Sequence, residues 1–143
     1  MAKKKVLAIG IDPAFVDFSL LPQFTPEVFR HYIESQIERV AAGGYDVTSC
    51  LIDRGDTAEA VIVSALTKDS FDAVLIGAGL RQPGDVLLLF EKVVNLVHRL
   101  APNACICFNT TPADSLEAVQ RWLDPNSPAR SSASQVATSI LPP

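Results

Sequence analysis

The 143-residue chain has few cysteines and no long apolar run, and each shortage excludes a class of protein. Its three cysteines are an odd number, which argues against a secreted domain held together by disulfides. A membrane span needs roughly 18 consecutive apolar residues, and the longest candidate, Val86–Leu100, is interrupted by charged residues. The run Val6–Ile11 is too short for a secretory signal. The sequence therefore predicts a cytoplasmic protein that does not insert into a membrane.

Positive charge is scarce as well. The chain has 12 Lys and Arg against 16 Asp and Glu, a formal net charge of −4. An acidic chain repels a phosphate backbone, so nucleic acid is not an expected partner. Hydrophobic residues make up 48% of the sequence, which indicates one folded domain with its own core and excludes a disordered acidic chain.

Histidine and metal-ligand patterns are also missing. His31 and His98, the two histidines, both lie in predicted helices away from the strand ends. Cys105 and Cys107 alternate along a predicted strand and so share one face, where we expect them to be buried as small apolar residues. No further His or Cys residues lie at metal-ligand spacing from the two histidines or from the two cysteines. The His and Cys residues therefore indicate neither a bound metal nor a catalytic triad.

Four β-like runs alternate with four helix-like runs. The β-like runs are Lys5–Ile11, Asp46–Ile52, Ala73–Ile76 and Ala104–Phe108. Uninterrupted apolar character, as in the first and third, is typical of parallel strands covered on both faces. The alternation with short connections predicts right-handed crossovers and an α/β fold, a three-layer α/β/α sandwich. The expected sheet has four parallel strands in the flavodoxin-like order 2-1-3-4.

Capping residues mark the expected helix starts. Thr25 precedes Pro26 and is the predicted N-cap of the first helix, which ends at Gly43-Gly44. Asp56, with Glu59 three residues later, has the spacing of a capping box. The predicted N-caps of the four helices are, in order, Thr25, Asp56, Asp85 and Thr111.

The composition changes near Asp124. Residues 125–143 are rich in serine and proline, which predicts a flexible tail after a folded domain spanning 1–124. Val136, Thr138 and Ile140 alternate within this tail. An alternative is therefore that Gln135–Leu141 forms a fifth strand along the edge of the fourth.

Polar and glycine residues gather at the ends of the predicted strands, where an open parallel sheet binds its ligands. The candidate ligand-binding residues are Asp12, Asp53, Gly77, Gly79, Arg81, Asn109 and Thr110. Arg81 could hold an anionic group, and Asn109 and Thr110 could fix a ligand's orientation. Several of these residues could instead serve only to form a turn or cap a helix. The predicted ligand-binding role therefore applies to the group and not to each residue separately.

Two more specific sites are weighed at these strand ends. Asp12 and Asp53 follow neighbouring strands, so the pair could hold magnesium or one of the two could act as a general base. Gly77-Ala-Gly79 follows the third strand, whereas a Rossmann dinucleotide-binding fingerprint follows the first strand and opens a helix at once. The segment also lacks the Gly-Lys-Ser or Gly-Lys-Thr of a P-loop, so it matches neither of these phosphate-binding motifs. No cofactor is identified by these patterns.

The predicted third helix, Val86–Leu100, is apolar on more than one face. A helix on the surface of a monomer is expected to be apolar along one stripe. The excess apolar surface indicates either deep burial or contact with a second copy, and we expect a homodimer through this helix.

Three segments resemble a family of small bacterial single-domain proteins with no assigned function. They are residues 10–19 (GIDPAFVDFS), 75–81 (LIGAGLR) and 107–110 (CFNT). The resemblance covers residues 5–124 and implies a flavodoxin-like, Rossmann-like fold similar to that of response-regulator receivers. A receiver carries its phospho-accepting aspartate where this chain has Gly77, so phosphotransfer is not expected.

Three functions follow as hypotheses from this sequence. The first is binding of a small polar or anionic ligand at the carboxyl ends of the strands. The second is a non-catalytic, receiver-like interaction module. The third is a small hydrolase that uses Asp12 or Asp53 as its base.

Overall fold

A parallel sheet of four strands organises the structure, a computed structural model that describes residues 2–19, 21–82 and 84–127. The strands are β1 (Lys4–Ile11), β2 (Tyr45–Ile52), β3 (Ala73–Ile76) and β4 (Cys105–Phe108). Their order is β2-β1-β3-β4 and every neighbouring pair is parallel. The predicted flavodoxin-like order 2-1-3-4 is confirmed.

Helices cover both faces of this sheet. They are α1 (Pro26–Ala42), α2 (Ala58–Lys68), α3 (Leu87–Leu100) and α4 (Ser115–Gln120). Short 3-10 helices lie at Pro13–Phe15, Ala78–Leu80 and Pro112–Asp114. The helices α1 and α4 pack on one face, and α2 and α3 pack on the other. The predicted three-layer α/β/α architecture is therefore confirmed.

The predicted ends of α1 are also confirmed. The Thr25 Oγ1 atom accepts a hydrogen bond from the Val28 N–H at 3.2 Å, which satisfies a backbone donor in the first turn. At the other end, Gly44 has φ +106°, a conformation that glycine adopts at little cost.

Two predicted helix caps are wrong. The N-cap of α2 is Thr57, not Asp56, and the Asp53 carboxylate accepts hydrogen bonds from the Thr57 N–H at 3.0 Å and the Thr57 hydroxyl at 2.7 Å. The N-cap of α3 is Val86, with no side-chain cap. Asp85 pairs instead with Arg54. At the start of α2, the Asp53 carboxylate accepts the hydrogen bonds in place of the predicted cap Asp56. At the start of α3, the predicted cap Asp85 pairs with Arg54, which is distant in sequence.

Thr111, the predicted N-cap of the fourth helix, caps the 3-10 helix that leads into α4, whose own N-cap is Asp114. Its Oγ1 accepts from the Ala113 N–H at 3.2 Å, while the Asp114 carboxylate accepts from the Thr111 N–H at 3.2 Å. This reciprocal pair is a capping box. The turn it begins is the 3-10 helix Pro112–Asp114, and α4 follows directly.

The two faces of the sheet differ in side-chain size. Towards α2 and α3, β1 presents the large side chains Leu7, Ile9 and Ile11, all buried. Towards α1, β1 presents Ala8 and Gly10 at its carboxyl half. Helix α1 therefore lies over a half of β1 that lacks bulky side chains, and this feature positions the candidate site.

Most of the apolar surface of α3 is buried in the core beside α2. Val93 and Val97 have no exposed surface, and Leu96 is 5% exposed. Leu87 and Leu88, at the start of the helix, are 61% and 78% exposed. Deep burial thus accounts for much of the apolar excess, and the homodimer through α3 stays a prediction.

Several sequence-based expectations concern other parts of the chain. The candidate strand Gln135–Leu141 lies outside the described residues. Cys107 is fully buried, and the Cys105 thiol lies 3.4 Å from the Trp122 carbonyl oxygen. Within residues 2–19, 21–82 and 84–127, none of the helices has the length and hydropathy required to cross a membrane.

An ion pair between α1 and α4 predicts a pH dependence of stability. Arg39 donates to both carboxylate oxygens of Glu117, at 2.7 and 2.5 Å. These hydrogen bonds lower the pKa of Glu117 from 4.5 to about 2. The unfolded chain then binds more protons between these two values, so this stabilisation is present above pH 4.5 and is lost as the pH falls towards 2.

Glu117→Gln is expected to reduce the pH dependence of the free energy of unfolding between pH 4.5 and about 2. Both side chains are nearly half exposed, so salt should weaken the effect. Urea unfolding at a series of pH values measures it, with Glu38→Gln, an exposed position on α1, as the control. Parallel profiles for wild type and Glu117→Gln would contradict the assignment.

Candidate functional site

A cavity of about 680 Å³ opens at the carboxyl ends of the strands, between α1 and the sheet. It adjoins β1 and β3, the point where the strand order reverses and where open α/β sheets bind ligands. Its inner part, between α1 and the sheet, is lined mostly by apolar residues. These include Ala8, Gly10, Leu51 and Leu75 from the strands and Ile33 and Ile37 from α1.

Small residues of the sheet leave the space that forms this cavity. A β-carbon added to Gly10 would meet no atom closer than the Leu51 Cδ2 at 3.9 Å. Among the residues of α1, Val40 near its carboxyl end is fully buried. The amino-terminal half of α1 lines the cavity, with Phe29 and Tyr32 among its contributions.

Three aromatic residues form one side of the cavity, and we call Phe24, Phe29 and Tyr32 the aromatic wall. The Phe24 and Tyr32 rings are stacked with centroids 5.8 Å apart. Phe29 meets Phe24 edge-on at 5.1 Å, and Phe18 packs behind it at 5.6 Å. The wall adds apolar area to the lining, and the faces of aromatic rings carry partial negative charge.

Charged residues line the solvent side of the cavity, and we call Asp17, Arg54 and Asp85 the cavity mouth. The Arg54 Nη2 lies 2.5 Å from the Asp85 Oδ2, which joins the loop after β2 to the loop before α3. Asp17 accepts a hydrogen bond from the Ser19 N–H at 2.9 Å, and this bond lowers the pKa of Asp17. Asp17 is thus ionised at neutral pH.

Four of the sequence-predicted site residues line the cavity: Gly77, Gly79, Asn109 and Thr110. Asn109 is 5% exposed, and its amide joins two segments, since Oδ1 accepts from the Ala78 N–H at 2.8 Å and Nδ2 contacts the Ser115 Oγ at 3.0 Å. The Thr110 hydroxyl bonds the Asp114 carboxylate at 2.7 Å. These residues shape the edge of the cavity near β4.

Asp12 and Asp53 follow adjacent strands as predicted, but neither lines the cavity. The Asp12 carboxylate accepts from the Ala14 N–H at 2.9 Å and pairs with Arg30 at 2.7 Å, and both contacts lower its pKa. The Thr57 hydroxyl and the Gly55 N–H likewise lower the pKa of Asp53. Both carboxylates hold local turns, and their predicted ligand-binding, magnesium-binding and general-base roles stay predictions.

Arg81 also lies outside the cavity lining. Its Nη1 donates to the Ile76 carbonyl at 2.8 Å, its Nη2 donates to the Asn109 carbonyl, and its guanidinium lies over the Phe108 ring at 5.2 Å. The guanidinium therefore connects the end of β3 to the end of β4. Its role as an anion-binding residue stays a prediction.

The aromatic wall is the part of the site that sequence reasoning missed. The spacing of Phe29, Tyr32 and Ile33 is that of an amphipathic helix, which is typical of core packing. The sequence feature that could have indicated a cavity under this helix is the small size of Ala8 and Gly10, which lie two residues apart on one face of β1.

No group of three or more His, Cys, Asp or Glu residues in the described part of the chain is arranged to hold a metal ion. Comparison with models of known protein families, with curated proteins and with solved structures found no match. The functional argument therefore depends on the geometry of the cavity.

Proposed function

We propose that this protein binds a small organic molecule between α1 and the sheet, with the molecule's polar end at the carboxyl ends of the strands. The observation that carries the proposal is the cavity of about 680 Å³. Ligand sites occupy roughly 300–1,000 Å³ and combine apolar walls with a few polar groups. This cavity has both features, at the position where the fold class binds its ligands.

The distribution of its residues supports a ligand with two unlike ends. The inner part offers Leu51, Leu75 and Ile37, whose contact with an apolar ligand surface would remove that surface from water. The cavity mouth and Gln82 and Thr110 offer polar groups on the solvent side. Asp12 and Asp53 hold turns that lie outside the cavity lining.

Gly10→Leu tests the proposal by filling the cavity. Gly10 lines the cavity and has open space beside it, so a leucine there should occupy the volume that a ligand needs. We expect binding of Nile red, an uncharged apolar dye, to weaken by at least about tenfold. The free energy of unfolding should not fall, because glycine within a strand costs roughly 0.5–1 kcal/mol.

Gly84→Leu is the matched control, because Gly84 has open space beside it but does not line the cavity. Fluorescence titration measures dye affinity and urea unfolding measures stability. Equal dye binding by wild type and Gly10→Leu, with both proteins folded, would show that this cavity is not the binding site.

A further inference from the structure

We infer that the ligand is an organic cation, an apolar or aromatic body that carries an ammonium group. This inference rests on the proposed function and names the chemical class of its ligand. It depends on two separate features, the charge at the cavity mouth and the aromatic wall.

The charge of the cavity mouth is negative. Asp17, Arg54 and Asp85 are the charged residues among the described ones that line the cavity, so two carboxylates face one guanidinium. An ammonium group would bring this set to neutrality, whereas a carboxylate or phosphate would add to the excess negative charge. The net negative charge of this set therefore favours a cation.

Nearby arginines do not change this balance. Arg30 pairs with Asp12 at 2.7 Å, and Arg81 lies over the Phe108 ring. Neither lines the cavity. The Asp114 carboxylate, bonded to Thr110, interacts electrostatically with Arg81, so these two charges offset each other on the β4 side.

The aromatic wall favours the same class of ligand. The faces of aromatic rings attract cations within about 6 Å of the ring centroid, and the attraction is stronger where water is excluded. Phe24, Phe29 and Tyr32 lie together along the cavity. An aromatic or aliphatic ligand body can also pack against these rings.

The Arg54–Asp85 pair does not block an ammonium group. The Asp85 side chain is 72% exposed, and exposed ion pairs contribute little to stability. Asp85 can therefore bind a ligand ammonium while one of its oxygens still faces Arg54. Asp17, on the loop between β1 and α1, supplies the second carboxylate.

Three small probes that share a phenyl ring test the inference: 2-phenylethylamine, 2-phenylethanol and 3-phenylpropionate. Titration of the whole chain near pH 7, followed by calorimetry, should rank the protonated amine first and the carboxylate last. We expect the amine to bind about fivefold more tightly than the alcohol, the size of one exposed ion pair. Added salt should weaken the amine alone.

Asp17→Asn should weaken the amine about fivefold and leave the alcohol within about twofold, because it removes one charge and keeps the side-chain shape. Asp56→Asn is the matched control, an exposed carboxylate that does not line the cavity. The same loss in both variants would indicate a general charge effect and overturn the assignment to the mouth.

Other outcomes separate this inference from the proposed function. Preferential binding of the carboxylate, equal binding of all three probes, or no binding of the amine would overturn the cationic ligand. In each of these cases a Nile red signal that Gly10→Leu abolishes would leave the cavity as the binding site. Loss of that dye result would overturn the proposed function itself.

Discussion

Asn109→Ala is expected to lower the free energy of unfolding by about 2–4 kcal/mol. The Asn109 side chain is buried and bonds Ala78 on one side and Ser115 on the other. Its removal leaves the buried Ala78 N–H without its acceptor, which costs the desolvation of that group. Urea unfolding monitored by circular dichroism measures the change.

The same substitution should also weaken Nile red binding, because Asn109 fixes the turn at Gly77–Gly79 that lines the cavity. Asn95→Ala is the control, since Asn95 is exposed on α3 and donates only to the Glu91 carbonyl of its own helix. A surface change of that kind is expected to stay within about 0.5 kcal/mol. Similar losses for both variants would refute a special role for the buried amide.

Tyr45→Phe is expected to destabilise the protein by about 1–2 kcal/mol. Tyr45 is 1% exposed, and its hydroxyl donates to the Leu123 carbonyl beyond α4. Burial raises the pKa of this phenol. Without the hydroxyl the Leu123 carbonyl loses its donor, and the segment after α4 is held to β2 less firmly.

Tyr32→Phe provides the comparison for Tyr45→Phe. Tyr32 is a partly exposed residue of the aromatic wall, so loss of its hydroxyl should change stability by less than about 0.5 kcal/mol. Thermal and urea unfolding of both variants measure the difference. If Tyr45→Phe were as stable as wild type, the bond to Leu123 would carry no net free energy.

The sheet order could be predicted because each of its signals is local. The apolar run of β1 and β3 indicates strands buried on both faces, and the Thr25-Pro26 pair begins α1 where predicted. With short crossovers and one permitted hand, few arrangements remain. The strands begin within one residue of the predicted positions and end where predicted.

The wrong caps show where local reasoning ends. Asp56 has a capping-box spacing, but the Asp53 carboxylate already bonds Thr57. Asp85 precedes α3 and instead faces Arg54, 31 residues away in the chain. A side chain that could pair with either of two partners pairs with the one that is closer in space. Spacing along the chain does not show which partner that is.

The candidate site likewise depends partly on local sequence and partly on tertiary structure. Four of the residues selected by strand-end position, Gly77, Gly79, Asn109 and Thr110, line one cavity, and their ligand-binding role stays a prediction. Position alone did not separate these from Asp12, Asp53 and Arg81, whose polar atoms bond neighbouring backbone and side chains. The distinction depends on which way each side chain turns after the strand ends.

The shortage of positive charge and of metal-ligand patterns in the sequence argues against nucleic-acid and metal binding, and apolar periodicity determined the α/β fold. Those properties depend on composition and on neighbours a few residues apart. Only the tertiary structure decided that α1 lies over Ala8 and Gly10, leaving an apolar cavity beside an aromatic wall. It also brought Asp17, Arg54 and Asp85 to one mouth. The physical reason is that a cavity and its charge arise from packing between segments distant in the chain, which no local pattern encodes.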